Sequence, residues 1–309
     1  MRPHSTVLLL GVLSAATTAL AQTPEDRSPS AQRSLETTAP LLWQPSMNVF
    51  RRFAAPREKM FEFYGSVLGF RQLTTLNVNS SDGGGVARFQ AGAQELKLTG
   101  RVAAKQYRPG GVRDATGVRM LTFFFADERA LAERFVAAGY ARPKFAAERG
   151  SKGRSAVVND PDGQAVELVV LPDATPEQLS AIEVGLTVAD LERSRAFYRS
   201  FVGLEELAPV DDARFGTKKY PFRHGATTIS LRSFGGSLPV DDGSGGIQYV
   251  VSDVDAVAAL AASRRVSVEQ PLSGLPNFAL RTIWLADPDG ITNYYAETAA
   301  SRAARVTTN

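Results

Sequence analysis

Glu167 stands four residues past the glycine of an Asp-Pro-Asp-Gly turn at 160–163, and Tyr294 stands at the same distance past a second such turn at 287–290. A carboxylate inside a pocket can serve as a general base, or can hold a hard cation through oxygen. A tyrosine at the matched place brings no carboxylate to either task. Glu183, in "IEVGLTV", is a further acid on an alternating segment. His224 is the one histidine after residue 21, and cysteine is absent. Disulfides, thiolate metal sites and a cysteine nucleophile are therefore excluded. His224 lies in "KYPFRHGATTI" and is expected to be a hairpin residue.

Of the 309 residues, 44% are hydrophobic, which suffices for two domains with their own cores. The 35 basic and 32 acidic residues are scattered, so no nucleic-acid footprint is expected. Residues 1–21 have the form of an export signal: Arg2, the apolar run "VLLLGVLSAA", and small residues at Ala19 and Ala21. Cleavage is expected before Gln22, giving a periplasmic or secreted protein. The apolar run is too short for a stable membrane anchor. Residues 22–44, rich in Pro, Ser and Thr, are expected to form a flexible leader, and 299–309 a frayed tail.

The remainder is duplicated. "MNVFRRFAAPREKMFEFYGSVLGF" and "IEVGLTVADLERSRAFYRSFVGLEEL" both read as a strand, a helix carrying Phe-Tyr, and a turn into another strand. "VRMLTFFFADERALAERFVAAGY" and "GGIQYVVSDVDAVAALAAS" repeat the pattern more weakly. The polar break at 171–181 separates a first domain, 45–172, from a second, 180–298. Alternation puts Val184, Leu186 and Val188 on one strand face, and Val166, Leu168 and Val170 on another, both expected to pack under helices. Pro and Gly suit the Asp-Pro-Asp-Gly turn between antiparallel strands, a structural signal in itself.

The segments "VADLERSRAFYRSFVGLEEL", "DPDGQAVEL" and "DPDGITNYY" resemble the vicinal oxygen chelate superfamily. It includes glyoxalases, bleomycin-resistance proteins, fosfomycin-resistance enzymes and extradiol dioxygenases. The resemblance covers nearly all of 45–298. It implies an α+β fold of two tandem vicinal-oxygen-chelate domains, each of paired βαβββ modules forming a cup-shaped mixed sheet. It also implies that metal-binding members carry their ligands on the first and last strands of each module. Here those positions fall on Asn48 or Val49, Glu95 or Lys97, Met120 and Glu167 in the first domain. In the second they fall on Glu183, about Ser230, Gly246 and Tyr294. No histidine is among them, so a two-histidine, one-carboxylate iron site is not to be had from this chain.

The first functional expectation is an exported protein that binds a small organic molecule in a cup, without the usual metal and with no cofactor. Asn48, Met120, Glu183, Gln248 and Tyr294 are the expected contacts. The alternative is a lyase or isomerase that uses a carboxylate-bound divalent cation with oxygen ligands, or Glu167 as catalytic general base. A purely structural role is the third. If Glu167 holds no metal, Arg51 or Arg52 on the opening strand is its expected partner.

Overall fold

The computed structural model describes residues 35–78, 83–147 and 153–306. The expected signal segment 1–21 and residues 22–34 of the expected leader lie outside the described residues.

Four modules follow one another. The first holds strand β1 (Asn48–Phe53), helix α1 (Arg57–Phe61) with a π-helical turn (Glu62–Val67), and strands β2 (Arg71–Leu76), β3 (Val86–Ala91) and β4 (Gln94–Gly100). The second holds β5 (Gly117–Phe125), α2 (Glu128–Ala137), β6 (Ala146–Ala147), β7 (Arg154–Asn159) and β8 (Ala165–Val170). A short helix, α3 (Pro176–Leu179), leads to the third. This module has β9 (Ile182–Thr187), α4 (Leu191–Ala196) with a second π-helical turn (Phe197–Val202), β10 (Glu205–Glu206), β11 (Val210–Asp212), β12 (Thr217–His224) and β13 (Thr227–Arg232). The fourth has β14 (Gly245–Val250), α5 (Val254–Arg264), β15 (Ser267–Leu275), β16 (Leu280–Ala286) and β17 (Thr292–Glu297).

Local chemistry sets the element ends. Asp127, Asp190 and Asp253 follow opening strands and cap α2, α4 and α5, each accepting from the amide three residues on. Gly69 and Gly203, at φ 83° and 84°, reverse the chain after the π-helical turns, in a conformation that a side chain would oppose.

The strands form two mixed sheets. One runs β15-β16-β17-β14-β1-β4-β3-β2, the other β10-β12-β13-β9-β5-β8-β7-β6, with β11 beside β12. Each sheet joins one module of each domain: the first module with the fourth, the second with the third. The joints are antiparallel, Asn48 opposite Gln248 and Thr122 opposite Glu183. The α+β class and the tandem repeat are as the sequence implied. The pairing of modules across the domains is the feature that the repeat alone did not reveal.

The apolar faces pack as expected. Val166, Leu168, Val170, Val184, Leu186 and Val188 are all buried in one continuous core with the helices. The Asp-Pro-Asp-Gly turns hold the modules of one domain together. Tyr64 donates to Asp160 (2.9 Å), and Asp162 accepts from the amides of Ala54 (3.0 Å) and Ala55 (2.8 Å) at the start of the first helix. In the second domain Tyr198 donates to Asp287 (2.8 Å), and Asp289 accepts from Ala189 N (2.8 Å) and Ser194 Oγ (3.0 Å). The first aspartate thus anchors the helix tyrosine and the second caps the strand-to-helix junction, which is why both copies keep the turn.

The expected leader is docked from residue 35 onward. Ala39–Leu41 form a 3-10 turn, and buried Thr38 bonds the carbonyls of Phe201 (2.9 Å) and Val202 (3.0 Å). Those carbonyls end a π-helical turn and need donors. The expected frayed tail forms helix α6 (Ala299–Val306), where Arg302 pairs with Glu297 and Arg305 with Asp253.

Candidate functional site

Each sheet has a helix-free face, and the alternation of its strands decides what lies there. On β1, Asn48, Phe50 and Arg52 share that face, whereas Arg51 points the other way and meets Asp160 (3.3 Å) and Asp162 (3.2 Å). The expectation that Arg51 or Arg52 partners Glu167 is therefore corrected. Arg51 belongs to the turn of its own domain, and Arg52 faces a sheet that Glu167 is not part of.

On the first sheet the register gathers Asn48, Glu95, Gln248 and Tyr294. Asn48 Nδ2 donates to Gln248 Oε1 (3.3 Å), and Asn48 Oδ1 accepts from Glu95 N (2.9 Å). Lys97 also donates to Gln248 and lies 3.6 Å from Glu95, which Arg88 holds at 2.9 Å. Burial keeps the Lys97 ammonium below its ordinary value despite Glu95. It would raise Glu95, but Arg88 and Lys97 outweigh it and hold that carboxyl low. Beside this polar group stands a row of rings, with Phe50 6.3 Å and Tyr294 4.9 Å from Trp284, centroid to centroid. Gly246 makes room for the row, since a Cβ there would meet the Phe50 ring at 2.3 Å. Arg52 lies over Phe50 (5.0 Å) and Trp284 (5.9 Å).

On the second sheet Thr122 lies between Glu167 and Glu183. Thr122 donates to Glu167 (3.0 Å), and Arg214 pairs with the same carboxylate (2.8 Å). Lys219 bonds both oxygens of Glu183 at 3.0 Å, with Arg232 3.8 Å away. Burial, and then the neighbouring Glu183, pushes Glu167 above the usual carboxylate range against the pull of Arg214 and Lys219. Burial also acts to raise Glu183, but Lys219 and Arg232 win and hold it below. Two acids side by side are thus driven apart in basicity by their surroundings.

The expected contacts divide between the faces. Asn48, Gln248 and Tyr294 come together on the first, Glu183 and Glu167 on the second. Met120 shares the second face, two residues before Thr122 and opposite Ala165 and Gly185. It is 1% exposed there, covered by Val112, Ala165, Phe215 and Phe234, and Thr122 stands directly opposite Glu183. His224 ends β12 and bonds the Gln44 carbonyl (2.7 Å), a hairpin residue as expected. The sequence offered Lys97 only as the alternative to Glu95, and it did not point to Trp284, Arg214, Lys219 or Arg232. Strict alternation puts Glu95 and Lys97 on one face together, so both are present; Arg214 and Lys219 come from a hairpin whose reach no local pattern specifies.

The fold and these faces define a two-domain βαβββ protein whose sheets each present polar side chains away from the helices. The sequence profile of the Glyoxalase/Bleomycin resistance protein/Dioxygenase superfamily matches residues 49–168 and again 180–295, and the chain belongs to that superfamily. Glyoxalase I from Zea mays is similar in structure, with a TM-score of 0.62 at 19% identity over 85% of this chain and 95% of that one. A putative dioxygenase from Bacillus subtilis gives 0.57 at 18% identity, over 82% and 85%. No curated protein matches in sequence.

Metal-binding members of the superfamily carry their ligands at these positions on each face, and here the charges around them do not suit a divalent cation. Lys97 already sits between Gln248 and Glu95, and Arg214, Lys219 and Arg232 hold the two carboxylates of the second face. A cation there would meet fixed positive charge instead of a full oxygen cage. Asp253, Asp255 and Glu297 bring carboxylate oxygens within 4.8 Å of one another on the helix side. Asp253 caps α5, and Arg281, Arg302 and Arg305 neutralise the group. A surface depression of about 750 Å³ bounded by Phe53, Glu58, Gly84 and Gly100 lies apart from these side chains.

Proposed function

We propose that the protein binds a small organic molecule on the helix-free face of the first sheet, without a divalent metal. The observation that carries this is the row Phe50, Trp284 and Tyr294 beside the amides of Asn48 and Gln248. A mostly apolar wall with a few placed polar groups is the make-up of a ligand site. Trp43 and Trp284 are the two tryptophans. In a Trp43→Phe variant, the uncharged flat probe 2-naphthylmethanol should quench Trp284 saturably, and Tyr294→Ala should weaken the effect. Lack of saturable quenching at millimolar probe would count against the site. Stoichiometric manganese binding in calorimetry, abolished by Glu95→Gln or Glu167→Gln, would overturn the metal-free part.

A second reading, an isomerase or lyase with Glu167 as general base, draws support from its raised affinity for protons beside the ionised Glu183. A carbon-13 titration of the Glu167 carboxyl falling in or below the ordinary range would remove it. Export rests on the 1–21 segment. An intact mass beginning at Gln22 is the expected result, and retention of Met1 on a soluble product is the contrary one.

A further inference from the structure

Among the described residues Arg52 has no counter-ion. Its guanidinium lies beside the rings of Phe50 (5.0 Å) and Trp284 (5.9 Å), and the residue is 2% exposed. Among the described residues its guanidinium makes neither a hydrogen bond nor an ion pair, and its Nη1 is buried without a partner. The contrast with the other buried arginines is sharp. Arg51 has Asp160 and Asp162, Arg119 has Asp241 (2.6 Å), and Arg232 has Asp212 (2.7 Å). Guanidinium stays protonated in proteins, and a buried charge without a partner is strongly unfavourable. Burial holds Arg52 below its ordinary value, and Glu269, Asp242 and Asp241 act on it only through space. Glu269 is already engaged by Lys105 (2.7 Å) and Thr292 (2.7 Å).

A chain that neutralises its other large buried cations but leaves this one bare has kept a place for an anion from outside. The rings beside it state the rest of the ligand's chemistry. A planar group can stack along Phe50, Trp284 and Tyr294 while its acidic end reaches the fork of Arg52. Lys105, in the linker that crosses this end of the sheet, holds Glu269, Thr292 and the Asp242 carbonyl together.

We infer that the ligand of the first face is an aromatic or otherwise flat organic acid, with Arg52 as the residue that receives its carboxylate. This inference rests on the small-molecule reading above and names its ligand class. The test compares 2-naphthoate with 2-naphthylmethanol by Trp284 quenching in the Trp43→Phe background. The acid should bind at least about tenfold more tightly, a modest return for one charged pair. Arg52→Met should remove that advantage while leaving the alcohol's affinity in place. The same substitution should leave the melting temperature of the ligand-free protein unchanged or higher, since it deletes an unpaired buried charge. Equal binding of both probes, or a preference for the acid that survives Arg52→Met, would refute the acid class and leave the small-molecule reading standing. A melting temperature that falls on Arg52→Met would make Arg52 a structural cation and also refute it. If neither probe binds, both readings fail together.

Discussion

The two Asp-Pro-Asp-Gly turns differ in one neighbour, and the difference can be measured. Asp160 has the Arg51 guanidinium at 3.3 Å. In the third module the place of Arg51, three residues beyond the strand's cup residue, is taken by Leu186, and among the described residues Asp287 has no cation partner. Burial, with Asp289 nearby, pushes the Asp287 carboxyl up to about 7, even though Ile291 N, Asp289 N and Tyr198 Oη all donate to it. The unfolded chain would titrate this group near 4. The folded state thus holds the proton more tightly. Its stabilising effect is fully present below about pH 4 and is lost as the pH rises to about 7. Over that interval the loss amounts to about 4 kcal/mol. Asp287→Asn removes the charge with little change of shape. Oδ1 keeps the two backbone donors, and Nδ2 can donate to the Tyr198 oxygen, which then acts as acceptor. In urea unfolding at pH 5, 6, 7 and 8, the variant should gain on the wild type by about 2–3 kcal/mol across the series. Asp160→Asn is the control. It takes a counter-ion from Arg51 and should lose stability at every pH. A difference between Asp287→Asn and wild type that stays flat with pH, or that turns against the variant as pH rises, would refute the argument.

Leu186→Ala should lose about 2–5 kcal/mol, because Leu186 is fully buried in the shared core; a loss below about 0.5 kcal/mol in urea unfolding would contradict that packing. Asp241→Asn should lose about 3–5 kcal/mol by leaving Arg119 buried without its carboxylate. A near-neutral result would show that the carbonyls of Arg108 and Gly111, which Arg119 also reaches, suffice for it.

The repeat, the strand faces and the fold class were legible in the sequence because each is a local pattern. Val184, Leu186 and Val188 alternate within seven residues, and a doubled Asp-Pro-Asp-Gly marks a doubled domain. Module pairing was not legible, since nothing in β1 names β14, two hundred residues away, as its neighbour. That gap spread to the site. Glu167 was set beside Asn48 and Glu95 of its own domain, whereas the sheet sets it beside Glu183 of the other. The Arg51–Arg52 doublet shows a second limit. Two identical side chains on adjacent residues have opposite fates, and only the strand register says which is which. Residues 35–44 were expected to be flexible on composition, which does not register that Thr38 supplies two hydrogen bonds to a distant turn.

Because the sheets run between the domains while the aspartate turns and helices bind each domain within itself, each half of the chain holds only half of either sheet. Severing the link at 171–181 would leave each piece with half of both faces. Separated halves would need each other to rebuild either one. In a symmetrical pair of identical chains, a mutation at one ligand position would alter two equivalent faces at once. Covalent fusion lifts that constraint. One face can collect rings and an unpaired arginine while the other keeps two acids under basic side chains, and selection can act on each without disturbing its twin.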